Sequence, residues 1–428
     1  MLHAGAFDDP SRQFAIKAIY RGRMHPFVFI EGISPMHRFL GLCAAFLMLC
    51  VAPRLHAEEQ PKLAVTVGLR HVAKDLWRVD YRFAQAVTAL KLRSIGEFRQ
   101  QEWKVLTPGM SMTSGSGFDV IASKGQPFKA ASVEIKTFDG WEPKEYVSFN
   151  RFGDGGRTVY LGHLQGDIEQ GTKTLSMRAD FKLSGLGQEN VIAPPPNRLQ
   201  PDAERGYAYF GPAQAVPAGA VKVLIDQRTP QWLRETILDV GAKTSAYYEK
   251  AYQRGLKDQL LILISVDNFE SSGFSIKGGA IMGAGQVSYR LEGKQVLLDH
   301  PLLREGVARN VAHEMAHIWQ LAVAQGGIGG QGPWIHEGGA EAMAIDALLQ
   351  TGMWSEESAK AYRAKQAATC EKLGGAVDSY DGIYACGLVR FDALGVGIVP
   401  LWRSMMLATE VKGDAYSQRM IDTIVSAK

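Results

Sequence analysis

Alternation of apolar and polar positions dominates the chain from Lys62 to about Tyr209. Runs such as LAVTVGL (63–69), LWRVDYRF (76–83), KAASVEIKTF (129–138) and LSMRADFKL (175–183) are separated by Gly, Ser, Asn and Asp. A period of two is that of strands with one buried face. No helix-period stretch of useful length interrupts it, so residues 58–215 are expected to form a β-sandwich-like domain. The segment IAPPPNRLQPDAERG (192–206) is proline-rich and polar, and reads as a loop approaching the domain boundary.

The period changes near Val221. VKVLID is a short strand, and TPQWLRETILDVGAKTSAYYEKAYQ opens with Thr229 and Pro230, a helix-start signal. DQLLILISVD follows as a buried strand, and the glycine-rich GFSIKGGAIMGAGQVSYRL comes next. From Pro301 to about Ala324 the apolar spacing is helical, with Val307, Val311, Ile318 and Leu321 marking apolar faces. QGGIGGQGP breaks that helix, a second begins near Trp334, and the remainder to Lys428 reads as mainly helical.

The N-terminus has a different pattern. From Met36 the chain reads MHRFLGLCAAFLMLCVAPRLHAEEQ: a short basic start, an apolar run from Phe39 to Ala52, then LHA before acidic residues. That run is too short to span about 30 Å of hydrocarbon as a helix, but it suits a secretory signal cleaved near Ala57. Residues 1–57 are therefore set apart as an upstream segment and signal peptide, the signal proper being 36–57. The expected location is periplasmic or secreted, with no transmembrane segment in the mature chain. Of four cysteines, Cys43 and Cys50 leave with the signal. Cys370 and Cys386 remain, an even pair suited to a disulfide in an oxidising compartment.

Composition adds exclusions. A hydrophobic content of 46% with 21% charged residues is that of a globular protein. A net charge of +3, with no basic run interleaved with aromatics, gives no support to a nucleic-acid partner.

The chemistry concentrates in NVAHEMAHIWQ (310–320) and WIHEGGAEAMA (334–344). His313 and His317 lie four apart on one helix face and can present imidazoles to a single ion. Glu314, next to the first histidine, is placed to reach a water rather than the metal. Catalytic zinc sites use three protein ligands, and the second stretch offers His336, Glu337 and Glu341.

HExxH followed by W-x-x-E-G-x-A resembles the glutamate-zincin metallopeptidases of the aminopeptidase N and glycyl aminopeptidase type. Trp334, Glu337, Gly338 and Ala340 match that second motif. The resemblance implies a thermolysin-like zinc domain over 216–428, a small sheet plus a mainly helical C-terminal part, and an α+β protein overall. It makes Glu337 the third ligand of one Zn²⁺. His336 falls where that family has Asn, and one helical step from Glu337 it points about 100° away. Glu341 matches a carboxylate that thermolysin-like enzymes hydrogen-bond to a ligand histidine, which fixes its tautomer. YACGLVRFDAL resembles the segment whose tyrosine stabilises the oxyanion, matching at Tyr384 and Gly387, with Cys386 in place of Lys. GAIMGAGQVSYR (279–290) is similar to the family's GAMENWGLITYR at Gly279, Ala280, Gly285, Tyr289 and Arg290, but Met282 replaces the glutamate that anchors the substrate's amino terminus. The resemblance thus implies a cleft lined by Gly279, Ala280 and Met282, and a zinc peptidase acting on peptide or protein substrates, endo- or aminopeptidase. The rivals are a zinc amidase for a non-protein amide such as a cell-wall peptide link, and a non-catalytic, zinc-stabilised binding protein.

Overall fold

The computed structural model describes residues 61–427 except 93–95, 116, 139, 141, 143–146, 196–205, 257–258, 282–284, 323–331 and 413–414. The expected signal peptide, Cys43, Cys50 and Met282 lie outside the described residues, as does most of the glycine-rich stretch after the HExxH helix. Residues Lys62–Lys428 form one compact unit.

The first half contributes β1 (Lys62–Ala73), β2 (Leu76–Val87), β3 (Ala89–Leu92), helix α1 (Glu97–Glu102), β4 (Trp103–Val105), β5 (Met110–Gly115), β6 (Phe118–Ser123), β7 (Phe128–Lys136), β8 (Phe149–Arg151), β9 (Arg157–Tyr160), β10 (Gly166–Gln170), β11 (Lys173–Ser184), β12 (Asn190–Ile192) and β13 (Tyr207–Gly211). Nine strands form one sheet in the order β4-β7-β2-β1-β11-β10-β3-β6-β5, and β12-β13-β9-β8 form another. Alternation decides the packing. Leu63, Val65, Val67 and Leu69 of β1 and Trp77, Val79, Tyr81 and Phe83 of β2 are buried. They share a core with Phe149, Val159, Ala208 and Phe210 of the smaller sheet, so two sheets enclose one apolar layer. The six-residue α1 is a departure from the all-strand expectation. It seats Arg99, whose buried guanidinium donates to Asp119 at 2.9 Å and to the His163 carbonyl at 2.8 Å. A buried charge needs such partners, and no pattern of local periodicity announces them.

The second half adds β14 (Val216–Ala218), β15 (Val221–Ile225), α2 (Gln231–Tyr252), β16 (Leu260–Asp267), β17 (Ser275–Ile281), β18 (Gln286–Glu292), α3 (Pro301–Ala322), α4 (Pro333–Gln350), α5 (Glu356–Lys372), α6 (Tyr380–Ala393), α7 (Ile398–Lys412) and α8 (Gln418–Ser426). The sheet order is β14-β15-β16-β18-β17. β15, β16 and β18 run parallel, whereas β17 pairs antiparallel with β18 and forms an edge. Parallel strands are covered on both faces, which accounts for the unbroken apolar run in β16. One face packs on the helices through Ile262, Ile264, Val287 and Tyr289. The other meets the first half through Leu224, Leu261, Leu263 and Ile281 against Phe152, Tyr160, Tyr207 and Tyr209. The Gln286 amide clips this junction, accepting from Tyr207 N at 2.7 Å and donating to Tyr207 O at 3.0 Å.

α4 and α6 cross almost backbone to backbone. A Cβ on Gly338 would lie 2.4 Å from the Gly387 carbonyl carbon, and one on Gly387 would lie 2.9 Å from Gly338 Cα. The glycines of W-x-x-E-G and of the tyrosine segment are thus two sides of one contact. Among the described residues no single helix is long and apolar enough to cross a membrane.

Cys370 of α5 and Cys386 of α6 are disulfide-bonded across 4.8 Å between Cα atoms, with a sequence separation of 16. Closing a loop of that length is expected to contribute about 3 kcal/mol. Reductant should therefore lower the urea midpoint of the wild-type chain and leave that of a Cys370→Ser/Cys386→Ser double variant unmoved; equal midpoints for the wild type with and without reductant would remove the disulfide from the stability account.

Candidate metal centre

α3 supplies the two histidines on its buried side, and their Nε2 atoms each stand 3.2 Å from the same Glu337 Oε2 of α4. The three donor atoms all lie within 4.8 Å of one another, and no other such group of His, Cys, Asp or Glu occurs among the described residues. A tetrahedral ion with bonds of about 2.05 Å needs donors about 3.3 Å apart, so the carboxylate–imidazole separations fit zinc. Two neutral nitrogens and one carboxylate oxygen also suit it chemically.

Each outward-facing ring nitrogen has a polar neighbour. His313 Nδ1 lies 3.1 Å from Glu341 Oε1. Glu341 is fully buried and is gripped in turn by Arg309, whose guanidinium pairs with it, and by Tyr362, whose hydroxyl donates to Oε2 at 2.9 Å. His317 Nδ1 faces Gln320 Oε1 at 2.9 Å. His336 is not in the donor group. Its ring stacks on His317 at 3.9 Å between centroids, 20° from parallel, on the far side of the helical step from Glu337. Arg309, Gln320 and Tyr362 belong to neither motif. Arg309 and Gln320 lie at offsets of four and three from the ligand-type histidines on the same helix, so spacing alone offered a clue to them. Tyr362 comes from α5, and no spacing signals it.

Glu314 sits on the opposite flank of its histidine and reaches the edge strand. Its Oε2 accepts from Ala280 N at 2.7 Å. A Cβ at Gly279 would come within 2.9 Å of that same oxygen, so glycine there lets β17 approach the carboxylate closely. Tyr384 stands across the site with its ring centroid 5.5 Å from that of His313 and 5.0 Å from that of Tyr380. It lies inside helix α6, one turn before Gly387, and the disulfide anchors that helix two residues further on. The structure therefore brings together His313, Glu314, His317, Glu337, Glu341, Gly279, Ala280 and Tyr384.

Protonation follows from burial and charge. Burial opposes charge on both histidines, but the Glu337 carboxylate outweighs it at His317, whose pKa is raised to about 9. His313 stays neutral, held down by burial and by its charged neighbour His317. Burial raises Glu314 from its ordinary value, with His317 and the Ala280 amide opposing. Burial, reinforced by the negative charge of Glu337, keeps the Tyr384 phenol protonated.

Zinc entering the cluster must displace the proton on His317. Affinity should accordingly rise by roughly tenfold per pH unit as pH increases toward about 9 and flatten above it. Zinc titrations between pH 6 and pH 10 check this, and a flat profile would contradict it.

Comparisons with known proteins bear on the fold. No protein-family model matches the sequence, and no curated protein matches it. Among solved structures, an aminopeptidase N family protein from Idiomarina loihiensis superposes with a TM-score of 0.50 at 12% identity, over 82% of this chain and 71% of that one. Native yeast LTA4 hydrolase gives 0.47 at 10%, over 87% and 65%, so this chain spans less than two thirds of it. An M1 zinc metallopeptidase from Deinococcus radiodurans gives 0.43 at 10%, over 86% and 89%. This chain has a mixed α+β fold similar to that of the aminopeptidase N family protein.

Proposed function

We propose that the protein is a secreted or periplasmic zinc peptidase. The observation that carries the reading is the convergence of three donor atoms, both imidazole–carboxylate separations being zinc-compatible, with a carboxylate beside them that is anchored to an edge strand. His313, His317 and Glu337 hold one Zn²⁺. When bound, the ion acts as a Lewis acid, lowering the pKa of water toward about 7 and polarising a carbonyl oxygen.

The remaining work falls to the chain. β17 is an edge strand, and an extended peptide can add to it as a further strand, backbone to backbone. Glu314 takes the proton of the attacking water and delivers it to the leaving amine. Its raised pKa, a consequence of burial, brings it closer to that of its proton partner. Tyr384 keeps its proton and donates a hydrogen bond to the developing oxyanion. Glu341 backs the His313 ring with negative charge, 3.1 Å from its Nδ1.

Two observations favour catalysis over a structural metal. A structural site has no use for a non-ligand carboxylate beside its donors, yet Glu314 stands there and accepts a hydrogen bond from the strand edge. Structural zinc is also usually closed by four protein ligands, and three converge here. Export is supported by the apolar run after Met36 and by a disulfide suited to an oxidising compartment. Met282, where an amine-anchoring glutamate stands in aminopeptidases of the resembled type, weighs against strict dependence on a free amino terminus.

Glu314→Gln should retain zinc within a few-fold of wild type and lower turnover by at least about 10²-fold. The check is zinc content by atomic emission beside hydrolysis of casein, amino-acyl amides and peptidoglycan fragments. Full activity in the variant would sink the mechanism. Zinc without hydrolysis of any amide by the wild type would favour the binding-protein reading, and cleavage of the peptidoglycan fragments alone the amidase.

A further inference from the structure

Gln320 is fully buried at the end of the HExxH helix, three residues past His317. An amide can be turned either way about its terminal bond, but here the surroundings decide. Its Nε2 lies 3.1 Å from the His336 carbonyl oxygen. A backbone carbonyl only accepts, so the nitrogen must face it, and Oε1 must then face His317 Nδ1, at 2.9 Å. An oxygen there can only accept, so Nδ1 carries a hydrogen, which leaves Nε2, 3.2 Å from Glu337 Oε2, as the nitrogen a metal can take once its proton is displaced.

We infer that Gln320 is a positioning residue for the metal: it sets the tautomer and ring plane of His317 and ties that ring to the main chain of His336, the residue before Glu337. The inference rests on the zinc reading above. It makes the two histidines unequal. His313 is backed by an ionised carboxylate with its own cation, and His317 by a neutral amide whose second hydrogen bond reaches the helix that carries the third ligand. One side chain thereby couples the register of α3 to that of α4 at the donor group. The His336 ring, stacked on His317 with its centroid 3.9 Å away, closes the remaining freedom of the imidazole plane. A ligand histidine whose other nitrogen is held in this way binds metal more tightly, and loss of such a partner typically weakens binding by about 10–100-fold.

The acceptor and the donor of Gln320 can be separated. Gln320→Met removes both; Gln320→Glu keeps an acceptor for Nδ1 and loses the donor to His336. Zinc dissociation constants are measured by chelator competition on the full chain and compared with the thermal midpoint of the zinc-free protein. Gln320→Met should bind zinc about 10–100-fold more weakly. Gln320→Glu should bind within about threefold of wild type, with its zinc-free midpoint lowered. Wild-type affinity in Gln320→Met, or equal weakening in both variants, would overturn the inference while leaving the zinc site standing. A wild-type chain that binds no zinc would instead overturn the metal reading itself. If Gln320→Met does not fold, nitrogen-15 NMR of histidine-labelled, zinc-loaded wild type still decides: His317 must show a slowly exchanging Nδ1–H, and protonation at Nε2 would refute the assignment.

Discussion

Charge buried on a helix face is the constraint around which the second half of this protein is built. Glu341 is fully buried one turn past Glu337. A lone carboxylate there would cost several kcal/mol, and Arg309, His313 and Tyr362 surround it. Those partners belong to α3 and α5. The helices must therefore pack in one register, and that register aims both imidazoles at Glu337. The arrangement that satisfies Glu341 and the arrangement that gathers the ligands are the same.

Close approach of backbones is the second requirement, and glycine meets it. Gly338 follows Glu337 immediately, and Gly387 lies one turn after Tyr384, so the α4–α6 crossing brings ligand and phenol toward each other. Gly279 plays the corresponding part for the strand. Without a Cβ it lets the edge of the sheet meet the Glu314 carboxylate, whose oxygen accepts from the backbone N–H of Ala280. In each case a Cβ at the glycine would come within 3 Å of the neighbouring backbone or carboxylate and push against it.

The first half of the chain supports this centre at a distance. Its two sheets share a core of their own, and its tyrosines pack on the sheet that carries β17 and β18. The Gln286 amide fastens the start of β18 to Tyr207. The edge strand is therefore held against a rigid backing while its free side faces the donor group, which suits a surface on which an extended chain is laid down.

Much of this was legible before any coordinates. Period-two runs mark the strands of the first half, the apolar block in β16 marks a strand covered on both faces, and i, i+4 spacing places His313 and His317 together. Each depends on neighbours a few residues apart, where backbone geometry alone sets which side chains share a face. The pair Cys370 and Cys386 was legible by elimination. Arg99 with Asp119, Tyr362 with Glu341, Gln320 with His336 O and Gly338 with Gly387 were not, because each joins elements many residues apart whose meeting depends on packing. The sequence by itself determined which residues could bind a metal; tertiary structure alone decided which of them converge, how each imidazole is turned and what holds it, because desolvation makes every buried polar atom dependent on a partner from elsewhere in the chain.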